Sequence, residues 1–269
     1  MLPREPFNGG GCASGVFAVV ITIGVLVVLT VAVAAFVLAP RLGQRRMTYE
    51  RAPDRPLPFG YRMAWLAIRT ADTQRVIDVL DLARIKGSNW NSGLGTVYSE
   101  ELGETHLFVA PPVEGWTFVI GLALPHPLGP AFHDKATPFL LELGGAFAEV
   151  QYYFSYPVID FFAWARVIDG RLARAFAIGD EGVIWNKGKP SRKERAMGLK
   201  LFDLRGIQGR RGDAGGELLL YPTEDHVIGL AAEWSLDPTR VDARRTEPGL
   251  GYVGLAPQRW RPERMRKAA

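Results

Sequence analysis

The sequence predicts an α+β domain, with a largely antiparallel meander sheet and three to four helices, behind an N-terminal transmembrane helix. Two observations carry the prediction. One is a run before residue 40 that has no charged side chain from Pro6 to Pro40. The other is Asp169-Gly170 between two apolar segments, the dipeptide favoured in a two-residue hairpin, followed at once by a further strand.

Composition narrows the alternatives. The chain has 269 residues, 48% of them hydrophobic and 22% charged, with a single cysteine. A disordered tail protein would be far less apolar, and one cysteine cannot form an internal bridge. The chain therefore reads as one modest globular domain plus an anchor.

Residues 1–15 read as a short tail and residues 16–39 as the membrane segment. Its 24 residues would make a helix of roughly 36 Å, enough to cross a hydrocarbon core of about 30 Å. The alternative is a cleaved signal peptide with Ala32-Val33-Ala34 as its site. The length of the run and its continuation through Phe36, Val37 and Leu38 oppose it. Arg4 and Glu5 cancel before the segment, whereas Arg41, Arg45, Arg46, Arg51 and Arg55 follow it with only Glu50 and Asp54. The positive-inside rule then places the N-terminus outside and the domain in the cytoplasm, at the inner membrane of a bacterial cell.

Residues 40–58 read as a basic linker, residues 59–239 as the domain, and 240–269 as a basic, loosely held tail. Tyr61–Arg69 reads as a strand. Thr70 or Asp72 then caps a helix with Val76, Ile77, Leu80 and Ala83 on one face, stopped by Gly87. Residues 88–93 read as a polar loop bearing Trp90, with strands at about 94–99, 106–110 and 117–124. Thr137-Pro138 opens a buried helix through Phe147. In the hairpin Val158–Ile168/Arg171–Ile178, a register that sets Trp164 opposite Ala175 gives a core face of Ile159, Phe161, Ala163, Ala165, Val167, Leu172, Phe176 and Ile178. Arg174 is its only charge. Trp164 and Arg166 fall on the other face, opposite alanines. Val183–Asn186 extends the meander, Ser191–Glu194 matches a capping box, residues 206–216 form a glycine-rich loop, and Thr223 caps a helix over Glu224–Trp234.

Candidate chemistry is sparse. His126 and His133-Asp134 are the clustered candidate general bases or ligands, on a Pro/Gly-rich loop where ordinary loop histidines are the favoured reading. They support a hydrolase-like alternative, although their spacing matches no zinc signature, and neither metal nor cofactor is expected. His106 and His226 stand alone. The sequence shows no phosphate-cradling loop, no Gly-x-Ser-x-Gly elbow and no His-Glu-x-x-His. Trp90, Trp116, Trp164 and Arg166 are the candidate binding residues, because tryptophan and arginine dominate interface hot spots. The competing reading puts these tryptophans in a second small core. Basic segments at Lys187–Arg195 and Arg259–Lys267 read first as solvated surface; attraction to anionic lipid head groups comes next, giving a membrane-surface sensor as a further alternative, and nucleic acid is an unlikely partner.

The formal net charge is +4, but it is uneven. Residues 41–56 carry five basic and two acidic side chains (+3), residues 240–269 eight and three (+5), and residues 57–239 eighteen and twenty-two (−4). An acidic domain lies between basic flanks.

The stretch from Ala64 to about Thr239 resembles a bacterial domain family without assigned function. The resemblance is carried by Ala67–Thr73, Asn89-Trp90, Pro111–Trp116, Phe161–Arg166 and Asp169-Gly170. Members are similar to small accessory or immunity-type proteins, and no functional residues come with the resemblance. A membrane-anchored, non-catalytic module that recognises a protein partner is the function these readings favour.

Overall fold

The structure is a computed structural model that describes residues 23–33, 49–127, 134–179, 182–198 and 222–260. Residues 1–48 and 49–269 form separate compact units. In the first, residues 23–33 form a helix, α1, with its apolar side chains exposed, Val28 by 69%. The Thr30 hydroxyl donates to the Leu26 carbonyl one turn back (2.7 Å), which hides its polarity within the helix. Among the described residues no helix is long and apolar enough to cross a membrane. Most of the 16–39 segment lies outside them.

The second unit is α+β. Nine strands form one sheet, in the order β2-β9-β3-β4-β1-β5-β6-β7-β8, and every pairing in it is antiparallel. They are β1 (Met63–Ile68), β2 (Ala83–Ser88), β3 (His106–Val109), β4 (Thr117–Ile120), β5 (Glu149–Tyr156), β6 (Phe161–Ile168), β7 (Arg171–Gly179), β8 (Gly182–Lys187) and β9 (Gly251–Leu255). The helices are α2 (Thr73–Leu80), α3 (Trp90–Val97), α4 (Ala136–Ala146), α5 (Arg192–Ala196) and α6 (Glu224–Trp234).

Helices cover both faces of this sheet, so its central strands are apolar on both sides. In β1, Met63, Trp65 and Ala67 join one core with α3 and α6, while Ala64, Leu66 and Ile68 join a second core with α2 and α4. The period of two still operates, but each set of alternate residues meets its own layer.

This two-sided burial changes the hairpin reading. Asp169 (φ 48°) and Gly170 (φ 72°) do form the turn, with Ile168 opposite Arg171. However, Arg166 pairs with Arg174 and Val167 with Leu172, so Ala173 is an extra residue in β7. The bulge shifts the strand by one, and Trp164 lies opposite Phe176 rather than Ala175. Phe176 and Ile178 therefore share a face with Phe162 and Trp164, and the alanines 163, 165, 175 and 177 line the other, under α4. Ile159 is not a core residue: it precedes the strand and is 50% exposed.

Other expectations also needed correction. Residues 94–99 are not a strand, because α3 runs from Trp90 to Val97. The Asn89 side chain accepts from Ser92 N–H (3.0 Å), and Asp54 accepts from the backbone N–H groups of Trp90 (2.7 Å) and Asn91 (3.0 Å). Asp54 thus ties residues 49–58, expected to be a linker, into the folded unit. The expected loose tail also contains β9, which pairs with β2 on one side and β3 on the other. Helix α2 stops at Leu80, where Asp81 turns left-handed (φ 55°), short of Gly87. By contrast, the capping box at Ser191/Glu194 and the helix after Thr223 form as the sequence predicts. The 206–216 loop lies outside the described residues.

Candidate functional site

The two ends of the sheet differ. One end collects the C-termini of β1, β2 and β3, the Asp169-Gly170 turn and the end of β8, as the registers Ile68–Val150, Ile68–Thr117, Val109–Tyr252 and Ser88–Gly251 require. Tyr49 also belongs here, because Glu50 carbonyl accepts from Asn89 N–H (2.9 Å). The other end holds the start of β1, the β5–β6 connection and the segment from Gly121 to His126.

At that second end His126 is held by two bonds. Its Nε2 lies 2.8 Å from the Leu122 carbonyl and its Nδ1 3.0 Å from the Tyr152 hydroxyl. A carbonyl can only accept, so Nε2 carries the proton and Nδ1 accepts from Tyr152. The ring stacks on Phe154 at 4.4 Å. Burial pushes its pKa down to about 4, against a smaller upward pull from the Leu122 carbonyl. Both nitrogens are therefore committed in the neutral state.

This depression gives an acid-sensitive stability. Above pH 6.5 His126 is neutral in the folded and unfolded chains alike. Between 6.5 and 4 the unfolded chain takes up a proton that the folded one refuses, so stability falls as the pH drops through that window. The residue is half-buried, which reduces the expected loss to about 2 kcal/mol. Urea midpoints at pH 7 and 4.5 should show this drop, with a clearly smaller one in His126→Gln. An equal slope in the variant would assign the acid sensitivity elsewhere.

Asp134 does not join His126 through any described bond. It caps α4, accepting from Thr137 N–H (2.8 Å) and Thr137 Oγ1 (2.5 Å), and it pairs with Lys187 at 3.1 Å. These bonds hold its carboxyl below the usual range despite partial desolvation, which pushes the other way. His133 lies outside the described residues. His226 closes the α6 capping box, with its Nδ1 accepting from Thr223 N–H (3.0 Å). Among the described residues no group of three potential ligands is placed to hold a metal ion.

The expected aromatic binding surface does not form. Trp90 and Trp164 are wholly buried and Trp116 is 9% exposed, so the structure brings them into the sheet's core and not onto a recognition face. Trp90 packs between Phe59 (6.2 Å) and Phe108 (5.6 Å). Trp164 donates its indole N–H to Glu194 (2.8 Å). Arg166 is spent on Glu149 (2.7 Å) and lies over the Trp234 ring (5.7 Å). The competing reading of these tryptophans, as core, describes their positions.

No protein family, curated protein or solved structure matches the chain.

Sequence reasoning missed the most exposed apolar feature among the described residues of the folded unit. Pro157–Ile159 form a 3-10 turn that ends at a left-handed Asp160 (φ 49°), whose N–H donates to the Pro157 carbonyl (3.1 Å). Val158 is 69% and Ile159 50% exposed. The base of the turn is rigid: Phe154 packs edge-on against Phe161 at 5.0 Å and lies 6.2 Å from Tyr156. Tyr61, 47% exposed, stands at the same end of the sheet. Reading Val158 as the start of a strand hid the turn. Pro157 was the available signal, since proline disfavours a central strand and suits the first position of a helical turn.

Proposed function

We propose that the chain is a membrane-anchored, non-catalytic accessory module whose domain binds a protein partner through the Val158–Ile159 turn. The observation that carries the reading is that turn: two exposed β-branched side chains, preset by Pro157 and Asp160 on an aromatic base, offer apolar area at little further cost in conformational entropy. Anchoring rests on the uncharged run of residues 16–39, and a cytoplasmic domain rests on the arginines that follow it. The resemblance to accessory or immunity-type proteins agrees with a binding role. The hydrolase-like alternative would need a free base. Instead His126 uses both ring nitrogens internally, and Asp134 serves a helix cap and Lys187.

Site-specific photocross-linking of the full chain in its native membranes tests the partner face. A photoreactive residue at Val158 or Ile159 should yield one discrete protein adduct, while the same group at Leu141, an exposed position on α4, should not. Adducts of equal yield at all three positions, or none at the turn, would remove the partner surface. Val158→Ser/Ile159→Ser should leave stability within about 0.5 kcal/mol, as exposed positions do, and abolish the adduct of a probe at Tyr61.

A further inference from the structure

We infer that the β6–β8 end of the sheet is a docking surface for anionic lipid head groups, so that the domain presents this end to the bilayer and the Val158–Ile159 turn to the cytoplasm. The inference rests on the membrane anchoring proposed above and adds the residues and the orientation.

Basic side chains cluster at the β6–β8 corner of the sheet. The basic end carries Arg171 beside the Asp169-Gly170 turn, Lys187 at the end of β8, and Lys189 and Arg192 just beyond it. The register fixes their proximity: Lys187 pairs with Ala175, and a Cβ on Gly188 would meet the Ala173 carbonyl at 2.2 Å. The chain after β8 therefore continues alongside the start of β7, two residues from Arg171. Arg171, Lys189 and Arg192 are exposed, and among the described residues no carboxylate forms an ion pair with them. Beside β6–β8 the carboxylates are mostly committed: Glu149 and Glu194 are buried in ion pairs and Asp134 holds Lys187, leaving Asp169 exposed, while Glu50, Asp72 and Glu114 are exposed further along the same end. The far end is acidic on balance, with Asp81, Glu104, Asp160, Glu224 and Asp225 around the starts of β1, β2 and β3 and the β5–β6 turn, against Arg62, Arg84 and Arg259.

Two arguments choose lipid as the occupant. The chain enters the folded unit at the same end of the strands, through Tyr49 and Glu50 beside β2, which is the opposite edge of the sheet from β8. Nine residues separate Ala39 from Tyr49 in the sequence, and even fully extended they and the flanking bonds reach only about 35 Å. The end that receives the tether is thus kept within reach of the head groups, and on contact with them each Lys or Arg changes the interaction roughly fivefold, an effect that fades within a Debye length. The described start of the second basic segment, Arg259-Trp260, lies apart from the first. Arg259 pairs with Asp81 (2.5 Å) and Trp260 packs on Phe139 (5.0 Å), so that part of the chain serves the fold at the other end.

The test uses the full chain reconstituted into vesicles of phosphatidylcholine alone, or with about a third of phosphatidylglycerol. Backbone hydrogen exchange should slow at residues 169–173 and 187–193 only in the anionic vesicles. It should return towards the neutral-lipid rate as salt is raised, and should not change at residues 157–160. Arg171→Glu/Lys189→Glu/Arg192→Glu, all exposed positions, should cut the lipid-dependent protection about a hundredfold without changing exchange in β1. Protection equal in both lipids, or unchanged in the triple variant, would overturn the inference. So would protection of these segments by duplex DNA but not by phosphatidylglycerol. Carbonate extraction separates the underlying reading. A chain that resists extraction but shows no lipid-dependent protection keeps its anchor and loses this surface. A chain that is extracted yet still sediments with anionic vesicles, in a way the triple variant abolishes, keeps the surface and loses the anchor. One that does neither loses both.

Discussion

Glu194→Ala should destabilise the folded unit by about 3–5 kcal/mol, a large share of the 5–15 kcal/mol typical of a domain. Glu194 is completely buried and Arg174 is 3% exposed. One carboxylate oxygen accepts from Arg174 Nε (2.7 Å) and from the Trp164 indole (2.8 Å), while the other accepts from Ser191 N–H (2.6 Å) and closes the capping box. Arg174 Nη1 donates to the carbonyls of Ala175 (2.8 Å) and Lys187 (3.0 Å) and to the Asn186 side chain (2.8 Å), and the cation lies over the face of Phe176 (5.5 Å), while Nη2 has no partner among the described residues. Removing the carboxylate strands a buried cation and an indole donor and uncaps α5 at once. The attraction itself is not the main source of the loss, because burying two charges costs about as much as their pairing returns. The double variant Arg174→Met/Glu194→Ala should therefore be more stable than Glu194→Ala alone. Urea titrations of both proteins decide the matter; a double variant weaker than the single one would mean that Arg174 is satisfied without its partner.

Trp90→Ala should cost about 3–5 kcal/mol, the usual penalty for emptying a buried aromatic site. Its ring is the contact between α3, Phe59 and Phe108, and the space it fills is closed by Gly93, where a Cβ would stand 2.3 Å from the Phe108 ring. The indole N–H has no hydrogen-bond partner among the described residues. Trp90→Phe should therefore recover more than half of the loss, since it restores most of the ring and removes an unsatisfied buried donor. Thermal unfolding of the two variants gives the comparison. If Phe proved as damaging as Ala, the indole N–H would have a partner that the geometry does not provide.

The parts of this fold that were legible in the sequence are those decided within a few residues. Asp169-Gly170 sets its own turn, Ser191 and Glu194 cap each other, and Val227, Ile228 and Ala231 repeat at helical spacing. What was not legible depends on partners far along the chain. Helix α3 contains Gly93 and Gly95 and forms because Asp54 and Asn89 hold its first turn and Phe108 receives its buried side. A short segment of that composition reads as loop or strand when its distant cap is unknown. The strand β9 has only five residues and acquires its identity from β2 and β3. The bulge at Ala173 decides which side Phe176 takes, and one extra residue is enough to move every later side chain of β7 to the opposite layer. The candidate site was misread for a related reason. A tryptophan among Asn, Ser and Gly suggests an exposed loop only if the sheet has one wet face, and this sheet has none at its centre.

The position of β9 has a consequence for how the chain is made. Strands β2 and β3 lie on either side of it, yet they are synthesised some 160 residues earlier, which corresponds to roughly 8–30 s at ordinary translation rates. Throughout that interval each presents an open row of backbone donors and acceptors, the kind of edge that recruits foreign strands. Arg84 and Lys86 on β2, with the irregular register between Ala83 and Lys86, make that edge poorly suited to a casual partner. The same charges and kink that look like imperfections in the finished sheet act as a guard during biosynthesis, until the last strand arrives to claim the gap.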